Sequence, residues 1–267
     1  MEVDVPELPE GCMTHIISFT SPEDACVSAI VSSAFRSAAD SDLVWGKFLP
    51  TDYIDIISNS VSPLSLSDFS SKKELYFRLC NDPIFLDGGT KYFNLDKRSG
   101  KKCFTIGARG LGIAWGDTPQ YWIWRSHSDS RFAEVAELRS VFWLKIWGTI
   151  DTRVLSLKTI YAAYLVIQLA ENTYRLDHPV DVWINLVGEA GNVSETRSVY
   201  LKQPSARRAG IVVPSMRVDG WMEIEIGEFY NDQGDDGEVV MNLFHHDGSS
   251  RSGLIVQGIE LRPKYKD

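Results

Sequence analysis

The chain has no run of about 18 apolar residues, so no membrane-spanning helix is expected. It has no excess of positive charge. Lys and Arg number 27 against 36 Asp and Glu, a formal charge of −9, and no basic stripe is visible. A nucleic-acid partner is therefore not expected. Cysteine is scarce: four residues, at 12, 26, 80 and 103, with no C-x-x-C pair. That spacing argues against a zinc site and for free thiols in a reducing compartment, cytoplasmic or nuclear. The opening "MEVDVPELPEG" is acidic and lacks an apolar core, so no signal peptide is expected. Catalytic signatures are missing too, with no P-loop, no HExxH and no nucleophile elbow. His245 and His246 are adjacent on a strand and point to opposite faces, which argues against a shared metal. No cofactor and no metal are expected.

What is present is the material of a packed core: 44% hydrophobic residues, 11% aromatic, eight tryptophans. Charge is uneven. Residues 1–50 hold eight acids and two bases, a balance of −6, leaving −3 for the other 217. Residues 8–49 read as three short helices. Met13, Ile16 and Ile17 form an i, i+3, i+4 stripe on the first. Ser21-Pro22-Glu23-Asp24 is a start signal for the second, which is expected to run through 25–35. A third should cover 42–48 and stop before Pro50. The serine-rich stretch 51–71 reads as a connector, and 72–80 as a further helix with Leu75, Tyr76 and Leu79 on one face.

From about residue 90 the period changes to that of strands. "KYFNLD" and "KCFTIGA" flank a hairpin turn at Arg98-Ser99-Gly100. Strands are expected within 139–151, 159–170, 180–188, 221–230, 238–246 and 254–263. Many strands with little helix predict an antiparallel β-sandwich. The fold class is α + β in separate domains.

Residues 8–50, "LPEGCMTHIISFTSPEDACVSAIVSSAFRSAADSDLVWGKFLP", resemble an F-box. The carrying features are Leu8-Pro9, the Ser21–Asp24 step and Trp45. The resemblance implies a three-helix unit on a Skp-type adaptor that docks on a cullin. It places Leu8, Pro9, Ile16, Ile17, Ile30 and Val31 at the adaptor or inside the bundle. Residues from about 100 to 263 resemble the phloem protein 2 family of Nictaba-related lectins. The matching blocks are "GKKCFTIGARGLGIAWGDTPQYWIW", "RFAEVAELRSVFWLKIWG", "YAAYLVIQLA", "DGWMEIEIGEFYNDQGDDGEV" and "SGLIVQGIELRPK". Together they imply an F-box at 1–50, a connector with a short helix at 51–89 and a jelly-roll-like sandwich at 90–267. The implied function is a non-catalytic substrate receptor of a Skp–cullin–F-box ubiquitin ligase, reading a target through its glycan. The alternative is a sandwich that binds protein alone.

The family's sugar residues fall on Trp115, Trp122, Glu228 and Asp235, with Asp235 standing where the lectin has Glu. Gly112 stands where relatives often have serine. Physically, an indole stacks on the C–H face of a pyranose and a carboxylate accepts from its hydroxyls. Trp115 sits in a turn and is expected to be exposed. Trp122 and Trp124 share a strand face, with Trp124 expected in the core. Trp143, Trp147, Trp183 and Trp221 lie in apolar patterns and are expected in the core.

Overall fold

Serine sets the helix starts in the first part of the chain. The computed structural model describes residues 8–187, 195–204, 212–234 and 237–265. Ser21 caps α2, its side chain accepting from the Asp24 N–H while the Asp24 carboxylate accepts from the Ser21 N–H. Ser32, Ser41 and Ser71 cap three later helices, each side chain accepting from a backbone N–H of the first turn. The elements are α1 (Glu10–Ile17), α2 (Pro22–Ser28), α3 (Ser33–Ala39), α4 (Asp42–Phe48), α5 (Tyr53–Ser58) and α6 (Lys72–Asn81).

Two features differ from the sequence reading. The helix expected through 25–35 is broken into α2 and α3, so four short helices precede residue 50 where three were expected. The break follows from Ser32, which is extended at φ −159° and accepts from the Phe35 N–H, starting a new helix rather than continuing the old one. The stretch read as a connector, with a short helix allowed at its start, carries that helix as α5, which buries Ile57, but it is not separate: it belongs to the compact helical unit formed by the described residues of Met1–Ile84 and Phe93–Lys102. Its centre is Trp45, fully buried, with its indole N–H donating to the Ala39 carbonyl at 2.7 Å. Phe48 meets it edge-on at 5.5 Å, and Tyr76 of α6 lies 5.1 Å away.

The second unit comprises residues 85–92 and 103–267. The chain passes between units along β1 (Ile84–Leu86), β2 (Lys91–Leu95) and β3 (Lys102–Gly107). Then follow β4 (Gly112–Ile113), β5 (Trp122–Arg125), β6 (Val135–Leu138), β7 (Val141–Asp151), β8 (Thr159–Tyr174) and β9 (Pro179–Val187). The last are β10 (Arg197–Tyr200), β11 (Ser215–Met216), β12 (Met222–Asn231) and β13 (Glu238–Pro263).

These strands make two antiparallel layers. Sheet I runs β3–β13–β8–β12–β11, with β6 and then β5 added along another stretch of β13. Sheet II runs β4–β7–β13–β9–β10. The two strands expected at 238–246 and 254–263 are one continuous element that leaves sheet II and enters sheet I. Gly253, at φ +84°, allows the turn, a backbone region closed to most L side chains. At the same corner Arg251 is 1% exposed and donates to the carbonyls of Arg175, His178 and Pro179. Between the layers, Gly148 of sheet II faces Ile259 of sheet I. Trp221 is fully buried, as expected, and packs with Val135, Val166 and Ile255.

Candidate functional site

Trp115 is 60% exposed and holds a positive φ of 62°, rare for a residue with a side chain. Its turn is closed by Gly116 N–H donating to Ile113 O at 2.9 Å and Thr118 N–H donating to Trp115 O at 2.9 Å. Its ring neighbour is Tyr121, at 6.1 Å. Trp122 is not a sugar platform. It is 2% exposed, and its indole N–H donates to the Ala114 carbonyl at 3.1 Å. Trp124 shares that strand face and donates to the Gly116 carbonyl at 2.8 Å. The 114–116 loop covers the face, so Trp122 lies wholly beneath it. Trp124 lies at its rim, half-buried under the Arg109 guanidinium at 3.8 Å.

Glu228 is exposed and ion-paired with Lys264 at 3.0 Å. Asp235 lies outside the described residues. The expected cleft does not form, and register shows why. Trp122 pairs with Leu138, next to Glu137, which pairs with Ile255 of β13. Glu228 pairs with Ala162, which pairs with Arg262 of β13. Ile255 and Arg262 are seven residues apart on one strand, roughly 23 Å. Trp115 and Glu228 are anchored near opposite ends of β7. Its neighbour Ala114 bonds Lys145 O, whereas Asn231, at the end of Glu228's strand, bonds Thr152 O just past the end of β7. Lys145 and Thr152 are seven residues apart, roughly 23 Å of extended chain.

A different aromatic face is present on the outside of sheet II. Leu144, Ile146 and Ile150 of β7 point inward, while Trp143, Lys145, Trp147 and Thr149 point outward. On β9, Val182 and Ile184 are buried, and Asp181, Trp183 and Asn185 point outward. Register then lines up Trp147, Asn242 and Trp183 across three strands. The backbones of the two tryptophans are two strand spacings apart, about 9–10 Å, and Asn242 between them is buried, its amide donating to the Val240 carbonyl at 3.1 Å. The next row is Lys145, Phe244 and Asp181, and Trp143 meets Phe244 edge-on at 5.8 Å. A Cβ on Gly112 would lie 2.0 Å from the Trp147 ring, so glycine there lets the indole lie over β4. The Asn185 Oδ1 is buried without a hydrogen-bond partner among the described residues. Trp143, Trp147 and Trp183 are therefore surface residues, contrary to the core expected for them. The missed signal was parity: Trp147 alternates in phase with Lys145 and Thr149, and Trp183 with Asp181 and Asn185.

The outer face of sheet I is of another kind. Arg217 pairs with Glu223 and Glu260 at 2.7 Å, and Arg262 reaches Glu223 at 2.6 Å. Burial opposes ionisation of Glu223, but Arg262 and Arg217 outweigh it and hold the carboxyl below its usual range. Glu223 and Glu225 thus belong to a charge lattice rather than to an open solvated face. Burial pushes the Tyr164 phenol up, and the Arg262 guanidinium lies 3.8 Å over its ring. Among the described residues no group of three or more His, Cys, Asp or Glu is arranged to hold a metal.

In the helical unit the expected adaptor residues separate into two sets. Ile17 is 2% exposed and belongs to the core with Met13. Leu8, Pro9, Ile16, Ile30 and Val31 are exposed, Ile30 at 77% and Val31 at 66%. Phe19, Val27 and Leu43 join them as exposed apolar residues that the sequence reading did not single out. An apolar surface this large on a few short helices marks an interaction site.

A small helical unit with an uncovered apolar surface, followed by a two-layer β domain, defines a two-part adaptor-type protein. An F-box domain match covers residues 5–47, and a phloem protein 2 match covers 101–263. The chain belongs to the F-box proteins of the phloem protein 2 family. It is 45% identical over 260 residues to F-box protein PP2-B10 of Arabidopsis thaliana, covering 96% of this chain and 92% of the relative. F-box protein SKIP3 of Arabidopsis thaliana is 42% identical over 262 residues, covering 96% and 87%. Among solved structures, a Podospora anserina GH26-CBM35 β-(1,4)-mannanase is similar at a TM-score of 0.35 and 11% identity. That likeness covers 62% of this chain and 28% of the other, and is too remote to argue from.

Proposed function

We propose that this protein is a non-catalytic substrate receptor of a Skp–cullin–F-box ubiquitin ligase, acting in the cytoplasm or nucleus. The observation that carries this reading is the exposed apolar surface of the helical unit, with Ile16, Ile30 and Val31 facing solvent. A unit of this size gains stability from a partner that covers such residues. Ile30→Asp should weaken co-precipitation with a Skp-type adaptor about tenfold, because it places a charge in an interface that otherwise buries apolar surface. Unchanged capture by this variant, or no capture by the parent chain, would count against the assignment.

Target recognition is assigned to the outer face of sheet II, and the ligand class is a glycan of the target. The row Trp147–Asn242–Trp183 supports this: two half-buried indoles on one outer face for C–H stacking, with the exposed Asp181 carboxylate in the next row for hydroxyls. Trp147→Ala and Trp183→Ala should each lower glycan-array binding about tenfold, the loss of one stacking surface of about 1.4 kcal/mol. Trp115→Ala should leave it unchanged. If Trp115→Ala alone abolishes binding, the sugar site lies at the loop instead. If the parent binds no glycan, the sandwich is a protein-interaction module.

A further inference from the structure

We infer that the adaptor surface continues beyond the F-box onto the turn at residues 96–100, where Lys97 and Arg98 receive carboxylates of an amphipathic helix of the adaptor. This rests on the adaptor reading above. Within the helical unit lies a pocket of about 380 Å³. Pro22, Glu23, Cys26, Val27 and Ile30 line it, joined by Phe77 of α6 and, at the exposed rim, Lys97 and Arg98. The first five of these fall within the F-box match at 5–47. The rest come from later in the chain, and the segment 93–102 is part of the same compact unit.

The turn is held in place rather than loosely attached. The Ser99 N–H and hydroxyl donate to the Asp96 carboxylate at 2.9 and 2.7 Å, and the Gly100 N–H donates to Asp96 O at 2.8 Å. From α6, the Tyr76 hydroxyl reaches Asp96 O at 3.1 Å and Lys97 O at 3.3 Å. Lys97 extends its ammonium 5.7 Å over the Phe77 ring, and Arg98 pairs with Glu23 at 3.0 Å. A rim fixed in this way loses little freedom on binding.

Charge and shape together select the occupant. Val27 and Ile30, 58% and 77% exposed, stand three positions apart and border the pocket. They are continuous with the exposed apolar surface assigned to the adaptor. The lining carries two cations, Lys97 and Arg98, against one carboxylate, Glu23. Glu23 is held by Arg98, and Asp24 closes the capping box at Ser21. In a chain of net charge −9 whose first fifty residues are strongly acidic, this lining holds one more cation than anion, with Lys97 as the cation outside the Arg98–Glu23 pair. The matching surface is one apolar side chain seated in the pocket with carboxylates a turn away on the same helix.

The test is affinity of the full chain for a purified Skp-type adaptor, measured at low and at high salt. Rim charges act on association rate and salt dependence. The parent should weaken as salt rises. Lys97→Glu combined with Arg98→Glu should weaken binding about tenfold at low salt and flatten the salt dependence. Lys97→Glu alone, which leaves the Arg98–Glu23 pair intact, should show part of the same effect. Lys97→Arg should behave as the parent. Parent-like affinity and salt slope in the double variant would overturn the inference and leave the adaptor reading standing. Failure of the parent to bind at any salt would overturn both.

Discussion

Replacing Trp122 with alanine should destabilise the sandwich by about 3–5 kcal/mol, the range for truncating a buried tryptophan. Trp115→Ala should change stability by no more than about 0.5 kcal/mol. The two residues sit seven positions apart in one aromatic cluster, and the structure gives them opposite tasks. Trp122 is 2% exposed, and its indole N–H holds the Ala114 carbonyl of the loop that roofs it. Truncation would leave a cavity and free that carbonyl at once. Trp115 is 60% exposed, and alanine in its place would still hold the positive φ of 62°, so the backbone term is unchanged. Denaturant unfolding of the full chain, followed by near-ultraviolet circular dichroism, separates the two. A stability for Trp122→Ala equal to that of Trp115→Ala would show that the roof is not closed.

The split into helices then strands was legible because its signals are local. Ser21-Pro22-Glu23-Asp24 carries its own cap, and the helix at 72–80 has the spacing of Leu75, Tyr76 and Leu79. The break after α2 was harder to read, since Ala29, Ile30 and Val31 continue an apolar pattern while the chain turns. Only Ser32, a cap hidden inside that pattern, marks the new start. The site was less legible for a different reason. Strand alternation tells which residues share a face, and Trp122 and Trp124 do share one. It does not tell what covers the face, which here is a loop eight residues upstream. Nor does it tell that Trp147 and Trp183 stand in one row. Pairing of β7 with β13 and of β13 with β9 decides that, and these contacts join segments up to about a hundred residues apart.

Arg251→Met should destabilise the sandwich by about 3–5 kcal/mol and should also alter how its stability responds to acid. The guanidinium is 1% exposed and donates to Arg175 O at 2.7 Å, His178 O at 3.1 Å and Pro179 O at 3.2 Å. These carbonyls lie where β13 crosses between sheets, and removing their donor costs about 1–3 kcal/mol for each that water cannot reach. Methionine preserves much of the stem's apolar contact, and relief from burying a charge offsets part of the loss. The acid response comes from His245, whose Nε2 lies 2.8 Å from the Arg251 guanidinium and 3.1 Å from the Asp247 carboxylate. Burial pushes the His245 pKa below its ordinary 6.5, and the Arg251 charge pushes the same way, against Asp247 and Asp181. The folded state therefore binds fewer protons at His245 than the unfolded chain does. Its contribution is full above pH 6.5 and is lost as pH falls from 6.5 through the lowered value. Without the Arg251 charge the imidazole is easier to protonate in place, so the stability of Arg251→Met should fall less steeply below about pH 6.5 than that of the parent. Urea midpoints measured across that window check both claims. Equal slopes would show that Arg251 acts only as a donor to the three carbonyls, and an unchanged midpoint at neutral pH would show that it does not hold the corner.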